Sequence, residues 1–524
     1  MSQTVTIYDT TLRDGSQGEG ISFSSLDKIR IAEKLDGFGV DYIEGGWPGS
    51  NPKDVEFFDM AKEREWKHAK ITAFGSTRRK DTPVEDDPQI QTLLAAETPV
   101  ITYFGKSWKL HVEEVLKTTV EENQAMIRDT AAYLVSKGKE VIYDAEHFFD
   151  GYKDDPEHAL DTLRAAKDGG ASMVVLCDTN GGTMPHEVEE LTQIVLKELD
   201  MPVGIHTHDD TGVGVANALA SVRAGATQIQ GTINGYGERT GNCNLSTVIP
   251  NLELKYGISC VNDLTQLSKL ATFVDEATNM APNPRAPYIG RSCFAHKGGM
   301  HVNAVQKIAH SYEHIKPEAV GNQQQILMSE LSGQSNVLML AEQRGIPLEK
   351  GSPEAAAVLN KVKELEKEGY EFEAAGASFE LLLRRELGQA KRPFELVEYH
   401  CTTRRNPTKG YDTCEATVRV RVEDEEFYEV AQGEGPVNAL DCALRKALTP
   451  SFPNISKVGL TDYKVRIIDA QSATAARTRV LITSTDLFET WGTVGVDENI
   501  IGASYEALAD SIEYFLAKES RLLA

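Results

Sequence analysis

The sequence predicts an α/β chain whose first half closes into a (β/α)8 TIM barrel, followed by a helical linker region and a C-terminal α+β domain. Three observations carry this expectation. Eight short segments rich in β-branched and aromatic residues recur through the first half, beginning near Val5, Tyr42, Ile71, Val100, Val141, Met173, Val203 and Gln228. Each is followed by a stretch long enough for a helix, as in LDKIRIAEKLDGFG and VANALASVRAG, where apolar residues return with helical spacing. Together the eight units match the usual barrel length of about 250 residues. The strand cores, among them TVTIYD, KITAFG, PVITYF and SMVVLCD, are near-continuous apolar runs, which suits strands covered on both faces. An open doubly wound sheet is the alternative, but the glycine fingerprint of a dinucleotide fold does not follow the first strand.

Near residue 275 the pattern changes. The prolines and glycine of APNPRAPYIG mark a boundary, and residues 276–392 read as a linker of helices and connections that includes PEAAAVLNKVKELEKEGYEF. From Pro393 onward strands return. EATVRVRV and its continuation through EFYEVAQGEGPVNALDCALRKAL are weakly echoed by TRVLITS and the segment ending SYEALADSIEYFL. Two strand-strand-helix halves are expected from this echo, forming a domain over 393–524 apart from the barrel over 1–275.

Composition narrows the function classes. At 524 residues the chain exceeds the roughly 250 to 300 at which a single core stops growing, so several units are expected. With 41% hydrophobic and 25% charged residues it is globular, and no run approaches the roughly 20 apolar residues of a membrane span, so no membrane partner is expected. The amino-terminal segment Met1-Ser2-Gln3-Thr4-Val5-Thr6 lacks the basic and apolar regions of a secretory signal, which predicts a cytoplasmic protein. Seven cysteines, scattered without a C-x-x-C pair, read as small hydrophobes in a reducing compartment. A net charge of −25 argues against nucleic acid as a partner, since phosphate-backbone binding needs clustered Lys and Arg.

Three short motifs can carry chemistry. The first strand runs into Asp9-Thr10-Thr11-Leu12-Arg13-Asp14-Gly15, and residues just past a barrel strand's C-terminal end lie at the catalytic mouth. The seventh ends in His206-Thr207-His208-Asp209-Asp210, where period-two alternation turns both imidazoles to one side. After the eighth comes Gly235-Tyr236-Gly237-Glu238-Arg239-Thr240-Gly241-Asn242, in which Asn242 can offer an amide oxygen. Taken singly, these read equally as a surface turn, a packed histidine pair and a glycine turn. Strands one, seven and eight are neighbours in a closed barrel, and two imidazoles with a carboxylate suit a first-row divalent ion.

TLRDG, HTHDD and GERTGN, in this order and spacing, resemble the metal-dependent Claisen-condensing family of 2-isopropylmalate, homocitrate and citramalate synthases, which share their barrel with certain metal-dependent acyl-CoA lyases. The likeness continues through SCFAHKGGMHVNAV, SYEHIKPEAVGN and LSGQSN into a terminal domain similar to the family's regulatory, effector-binding domain. RDGSQGEGISFS and IEGGWPGSNPKD are closer to the citramalate-forming branch than to the leucine-pathway branch. The resemblance implies a divalent metal ion (Mn, Zn, Co or Mg) held by Asp14, His206, His208 and Asn242, with Arg13 on the 2-oxo-acid carbonyl. It implies His301, assisted by Tyr312, as the base that deprotonates the methyl group of acetyl-CoA.

Strand-end positions add Glu146 to the acid–base network and Glu44 and Thr179 to the substrate pocket, with Tyr143, Trp47 and Tyr103 as candidate walls. The implied reaction joins acetyl-CoA to pyruvate to form citramalate and CoA, in isoleucine biosynthesis. Larger 2-oxo acids, as in 2-isopropylmalate or homocitrate synthesis, are the near alternatives. An acyl-CoA lyase and a silent amino-acid sensor are the distant ones. A homodimer with isoleucine as effector is implied as well. A local basic patch for a CoA phosphate is compatible with the acidic total. Ser16 and Gln334 stand where the family more often has glutamate and arginine, which affects substrate and CoA recognition and not the metal chemistry.

Overall fold

The computed structural model describes residues 4–296, 308, 311–326, 334–343, 345–349, 351–406, 411–468, 476–486 and 488–522. It forms two compact units, Met1–Phe294 with Ile315–Gln323, and Ala295–His314 with Gln324–Ala524. In the first, strands β1 (Thr6–Asp9), β2 (Tyr42–Gly46), β3 (Lys70–Ser76), β4 (Val100–Lys106), β5 (Glu140–Glu146), β6 (Met173–Asp178), β7 (Val203–Thr207) and β8 (Gln228–Gly231) pair in parallel and in sequence order. β1 closes onto β8 from Thr6↔Gln228 to Asp9↔Gly231, which makes the sheet a barrel and excludes the open alternative.

Alternation along each strand sorts the side chains. Inward-facing Tyr8, Val100, Ile142, Val175 and Cys177 fill the barrel axis. Their neighbours Ile7, Ile101, Tyr103, Val141, Tyr143, Val174 and Leu176 face the surrounding helices and join the main core.

The helices begin and end where local chemistry dictates. α1 (Ser25–Phe38) opens on Ser24, whose hydroxyl accepts from the Asp27 amide while Asp27 returns a bond to the Ser24 amide, and it stops at Gly39 in the left-handed region. α2 (Pro52–Lys62) starts with proline in its first turn after a capping Asn51. Between α1 and α2, buried Lys28 donates to the Gly45 carbonyl at 3.0 Å and to Asp54 at 2.5 Å. Asp54 also accepts from the Trp47 amide at 2.8 Å, so this ion pair shapes the turn that delivers Trp47 to the mouth. Gly46 has φ +152°, and a Cβ there would lie 2.3 Å from the Asp54 carboxyl carbon.

Among the described residues of the second unit, helices Gln334–Gln343, Pro353–Glu368 and Gly376–Glu386 pack together through Val337, Val358, Val362, Phe379 and Leu383. Beside them a two-residue parallel pair, β9 (Ala295–His296) with β10 (Gln325–Ile326), precedes two antiparallel sheets. The first sheet is β11 (Glu395–Asn406), β12 (Tyr411–Val422) and β13 (Glu425–Gly433), covered by helix Pro436–Leu448. The second is β14 (Gly459–Ile467), β15 (Thr478–Thr485) and β16 (Thr490–Asp497), covered by helix Ile500–Leu522.

Among the described residues each half therefore shows three strands, one more than the sequence predicts. The unpredicted strands β11 and β14 are sheet edges rich in charged and polar residues, and most of β14 is exposed, so neither shows the alternation of the central strands. Central β12 does, burying Cys414, Ala416, Val418 and Val420. No helix among the described residues is long and apolar enough to cross a membrane.

Because Lys28→Ala strands Asp54 as an uncompensated buried charge, it is expected to destabilise the barrel by about 3–5 kcal/mol. The double change Lys28→Ala with Asp54→Ala restores part of that. Urea midpoints of the three proteins check this, and a single variant as stable as the parent contradicts the role given to the pair.

Candidate active site and metal centre

The site begins in the turn after β1. The Thr10 carbonyl accepts from the amides of Arg13, Asp14 and Gly15 at 3.2, 2.9 and 3.1 Å, which folds the chain tightly back. Asp9 braces the turn by accepting from the Thr11 amide and hydroxyl at 3.0 and 2.8 Å, and the Thr11 hydroxyl in turn accepts from the Ile233 amide beyond β8. Burial pushes the Asp9 carboxyl up to about 7.

Arg13 emerges from this turn over the Phe74 ring, 3.8 Å from its centroid, and donates Nε–H to Glu44 at 2.5 Å. Fully buried Glu44 also accepts from the hydroxyls of Tyr8 and Thr10. Its oxygens are engaged beneath Arg13 and it does not line the mouth, so it anchors the guanidinium and is not the pocket wall that its strand-end position predicts.

Asp14 lies 3.6 Å from the Arg13 Nη1 and 3.3 Å from the His206 Nε2. Burial would raise its carboxyl, but Arg13 and His206 hold it well below the ordinary carboxylate range. One ligating atom from each of Asp14, His206 and His208 falls within 4.8 Å of the others, so the three form a buried cluster able to hold a metal ion.

Gln230 orients this cluster. Its amide nitrogen donates to Asp144 at 3.0 Å, so its oxygen faces His206 Nδ1 at 2.9 Å and accepts the proton there. The His206 Nε2 lone pair is thereby left toward Asp14, the arrangement a metal-binding histidine requires. Without an ion, burial lowers the His206 pKa, but the Asp14 contact and charge outweigh it and the net shift is upward. His208 is lowered to about 4, by burial first and by His206 second.

Asn242 pairs with His208 in an isolated backbone bridge. Its amide nitrogen donates to the Tyr236 carbonyl at 3.2 Å, while its Oδ1 and the His208 Nδ1 are buried with no hydrogen-bond partner. Such orphaned atoms are costly unless something absent from the protein atoms completes them. A carboxylate, two imidazoles and an amide oxygen fit a divalent cation in this place. The loop that delivers Asn242 needs glycine at two positions. Gly237 and Gly241 have φ of +156° and +102°, and a Cβ on either would come within 2.1 Å of Asn242 Nδ2 or 1.9 Å of the Gly235 carbonyl oxygen.

The mouth is a cavity of about 220 Å³. Arg13, Asp14, His206, His208, Glu146 and Thr179 all line it. Glu146 is ion-paired with Lys106, and the Thr179 hydroxyl accepts from the His147 amide at 2.9 Å. Trp47, Phe74 and Phe104 form an aromatic wall, with Trp47 edge-on to both rings at 6.0 and 5.5 Å.

Tyr143 and Tyr103 do not belong to that wall. Both are fully buried on the helix side of their strands, 5.2 Å apart, with the Tyr103 hydroxyl donating to the Ile127 carbonyl. The inward positions beside them are Phe104 and Asp144. The sequence holds the signal that separates them, because Val100, Thr102 and Phe104 share one parity on β4, and Ile142, Asp144 and Glu146 share one on β5.

Asp144, pushed to about 7 by burial, escaped the sequence reading, as did Gln230, Lys106 and Phe74. Arg239 also lines the mouth and ties its loop to Thr179 O and to Asp210, each at 2.8 Å. Tyr312 is exposed in the second unit, and His301 lies outside the described residues.

Comparison with known proteins covers nearly the whole chain. Residues 4–274 match the HMGL-like family, 288–370 a homocitrate synthase post-HMGL domain-like family, and 373–516 the LeuA allosteric (dimerisation) domain. A protein of Aquifex aeolicus named (R)-citramalate synthase is 56% identical over 99% of both chains. One of the same name from Geobacter sulfurreducens is 50% identical over 99% of this chain and 98% of its own. A 2-isopropylmalate synthase of Methanocaldococcus jannaschii is 30% identical over 99% and 96%.

If Gln230 orients the cluster, Gln230→Leu is expected to weaken divalent-cation binding by about 10–100-fold while the chain stays folded. His208→Ala is expected to remove most binding. Calorimetric titration with Mn²⁺, with circular dichroism as the folding control, checks both, and wild-type affinity in either variant overturns the assignment.

Proposed function

The chain belongs to the HMGL-like family and, within it, to the (R)-citramalate synthases, and from that membership we propose that it condenses acetyl-CoA with pyruvate and water to give (R)-citramalate and CoA, an acyl transfer of isoleucine biosynthesis. The observation that carries the reading is the coincidence, in one small mouth, of the Asp14, His206 and His208 cluster with a guanidinium braced on a buried carboxylate. When held by Asp14, His206, His208 and Asn242, a divalent ion (Mn, Zn, Co or Mg) supplies Lewis-acid polarisation of the 2-oxo-acid carbonyl.

The chain's own residues do the rest. Arg13 sets a fixed cation where the carbonyl oxygen gains negative charge, and its bond to Glu44 means that no reorganisation is needed at that moment. Thr179 binds the acceptor carboxylate. Glu146, beside Lys106, takes part in the proton transfers, while His301 with Tyr312, carried over from the family resemblance, removes a proton from the acetyl methyl group. That carbon bonds to C2 of pyruvate, the resulting oxyanion takes a proton, and water hydrolyses the thioester to release the CoA thiol.

Pyruvate is supported by the small mouth, about 220 Å³, which Trp47, Phe74 and Phe104 wall with aromatic rings. The relatives named (R)-citramalate synthase, far more similar than the 2-isopropylmalate synthase, support the same choice. We read 1–275 as catalytic, 276–392 as linker and 393–524 as the effector-binding and dimerisation region of a cytoplasmic homodimer. The match of residues 373–516 to an allosteric dimerisation domain supports a dimer and an effector, for which isoleucine is proposed.

Thiol release measured with pyruvate, 3-methyl-2-oxobutanoate and 2-oxoglutarate tests the acceptor. Pyruvate is expected to lead in kcat/KM by at least about tenfold, Phe104→Ala to narrow that lead, and chelation to abolish turnover until a divalent ion is returned. Preference for a larger acid rejects the assignment. Addition of isoleucine is expected to lower the rate of the intact enzyme but not of a chain truncated after residue 392. No response to isoleucine at saturation rejects the effector.

A further inference from the structure

We propose that His147 is a positioning residue for the acceptor: its left-handed backbone hands an amide hydrogen to Thr179, which leaves the Thr179 hydroxyl proton free for the carboxylate of the 2-oxo acid. This rests on the reading of Thr179 as the ligand of that carboxylate, and names what aims it.

β5 ends at Glu146, which lines the mouth, and a short helix, Phe148–Asp154, begins directly after His147. His147 makes the turn between them with φ +57° and ψ +34°. Side chains seldom adopt that region, and histidine, like asparagine and aspartate, is among those that do. The His147 carbonyl accepts from the Gly151 amide at 2.9 Å and so starts the helix. Its amide points the other way, to the loop after β6, and donates to the Thr179 hydroxyl at 2.9 Å. Asn180 ties the same two loops a second time by donating from its side-chain nitrogen to Asp150 at 2.9 Å.

A hydroxyl has one proton and two lone pairs. An amide N–H can only donate, so the Thr179 oxygen accepts there and its proton is directed elsewhere. Among the described residues no group takes that proton. Thr179 lines the mouth together with Arg13 and His206, where a carboxylate, which can only accept, is its natural partner.

The strained turn is held by its side chain. The His147 imidazole stands edge-on to His111, with centroids 4.4 Å apart, and tilts against Trp108 at 5.8 Å. Trp108 is stacked on His111 at 5.1 Å, and its indole N–H donates to Asp154 at 3.0 Å. Neither histidine Nδ1 has a hydrogen-bond partner among the described residues, so packing is what locks the rings. Burial first, and His147 second, lower the His111 pKa, which keeps that ring neutral near pH 7. A costly backbone conformation persists only where its surroundings over-determine it, and such residues gather at functional sites.

His147→Val, whose β-branched side chain resists the left-handed turn, tests the role in the full-length, Mn²⁺-loaded enzyme. The KM for pyruvate is expected to rise about tenfold or more, with kcat and the KM for acetyl-CoA within about threefold of the parent. Calorimetric affinity for pyruvate is expected to fall by the same factor. His147→Asn, which keeps the left-handed preference, is expected to stay within about threefold of the parent, and His147→Ala to fall between the two. Thr179→Val is expected to raise the same KM, and His147→Val added to it to raise it no further, because both changes remove one interaction.

Circular dichroism checks the fold of each variant, and His147→Ala stands in for His147→Val if the latter does not fold. Parental pyruvate affinity in the folded Val or Ala variant, an equal loss in His147→Asn, or losses that add fully to that of Thr179→Val overturn the proposal. Failure of the Thr179 reading has a separate signature, since Thr179→Val alone then keeps the parental affinity for pyruvate.

Discussion

A buried line of alternating charge, from Glu44 through Arg13 to Asp14, which His206 meets through Nε2, is the interaction on which the rest of the mouth depends. Each of these groups is costly to remove from water alone, and burial is tolerable because each has a partner of opposite sign within hydrogen-bonding or close ion-pair distance. Glu44 is itself completed by Tyr8 and Thr10, and His206 by Gln230, so the line ends in neutral donors and acceptors and not in stranded charge. The arrangement uses up the freedom of Arg13. It can neither swing to solvent nor approach Asp14 more closely without leaving Glu44 unpaired.

Barrel closure is what allows that line to exist. Arg13 and Asp14 follow β1, His206 and His208 come from the end of β7, and Asn242 and Gln230 come from β8 and its loop. In an open sheet β1 and β8 would be opposite edges. Here they pair along their whole length, so groups more than two hundred residues apart become neighbours. The same closure turns alternate residues of every strand toward one axis, where Gln230 can bridge His206 and Asp144 across the barrel. The orphaned Asn242 Oδ1 and His208 Nδ1 then mark where a cation completes a polar shell that the protein atoms leave unfinished.

Most of the metal centre was legible before any coordinates, because its residues sit in compact motifs at strand ends. The pocket wall was less so. Tyr143 and Tyr103 have the bulk of wall residues and lie on strands that lead to the mouth, but one step along a strand reverses the facing, and Phe104 and Asp144 hold the inward positions. Counting parity from the apolar interior residues would have separated them. Gln230 and Glu44 were harder to place. A buried glutamine or glutamate in a strand has no signature of its own, and its role is set wholly by partners distant in sequence.

Local pattern was enough to establish the eight parallel strands, their starts and the three side chains, Asp14, His206 and His208, that cluster at the mouth, because these follow from periodicity and short motifs read over a few residues. Contacts between remote segments settled what remained: that Glu44 serves Arg13 and not the pocket, and that Phe74 and Phe104 wall the mouth with Trp47. Hydrophobic alternation records which side of a strand faces the core. Which partner waits on that side depends on register and closure, which no single segment encodes.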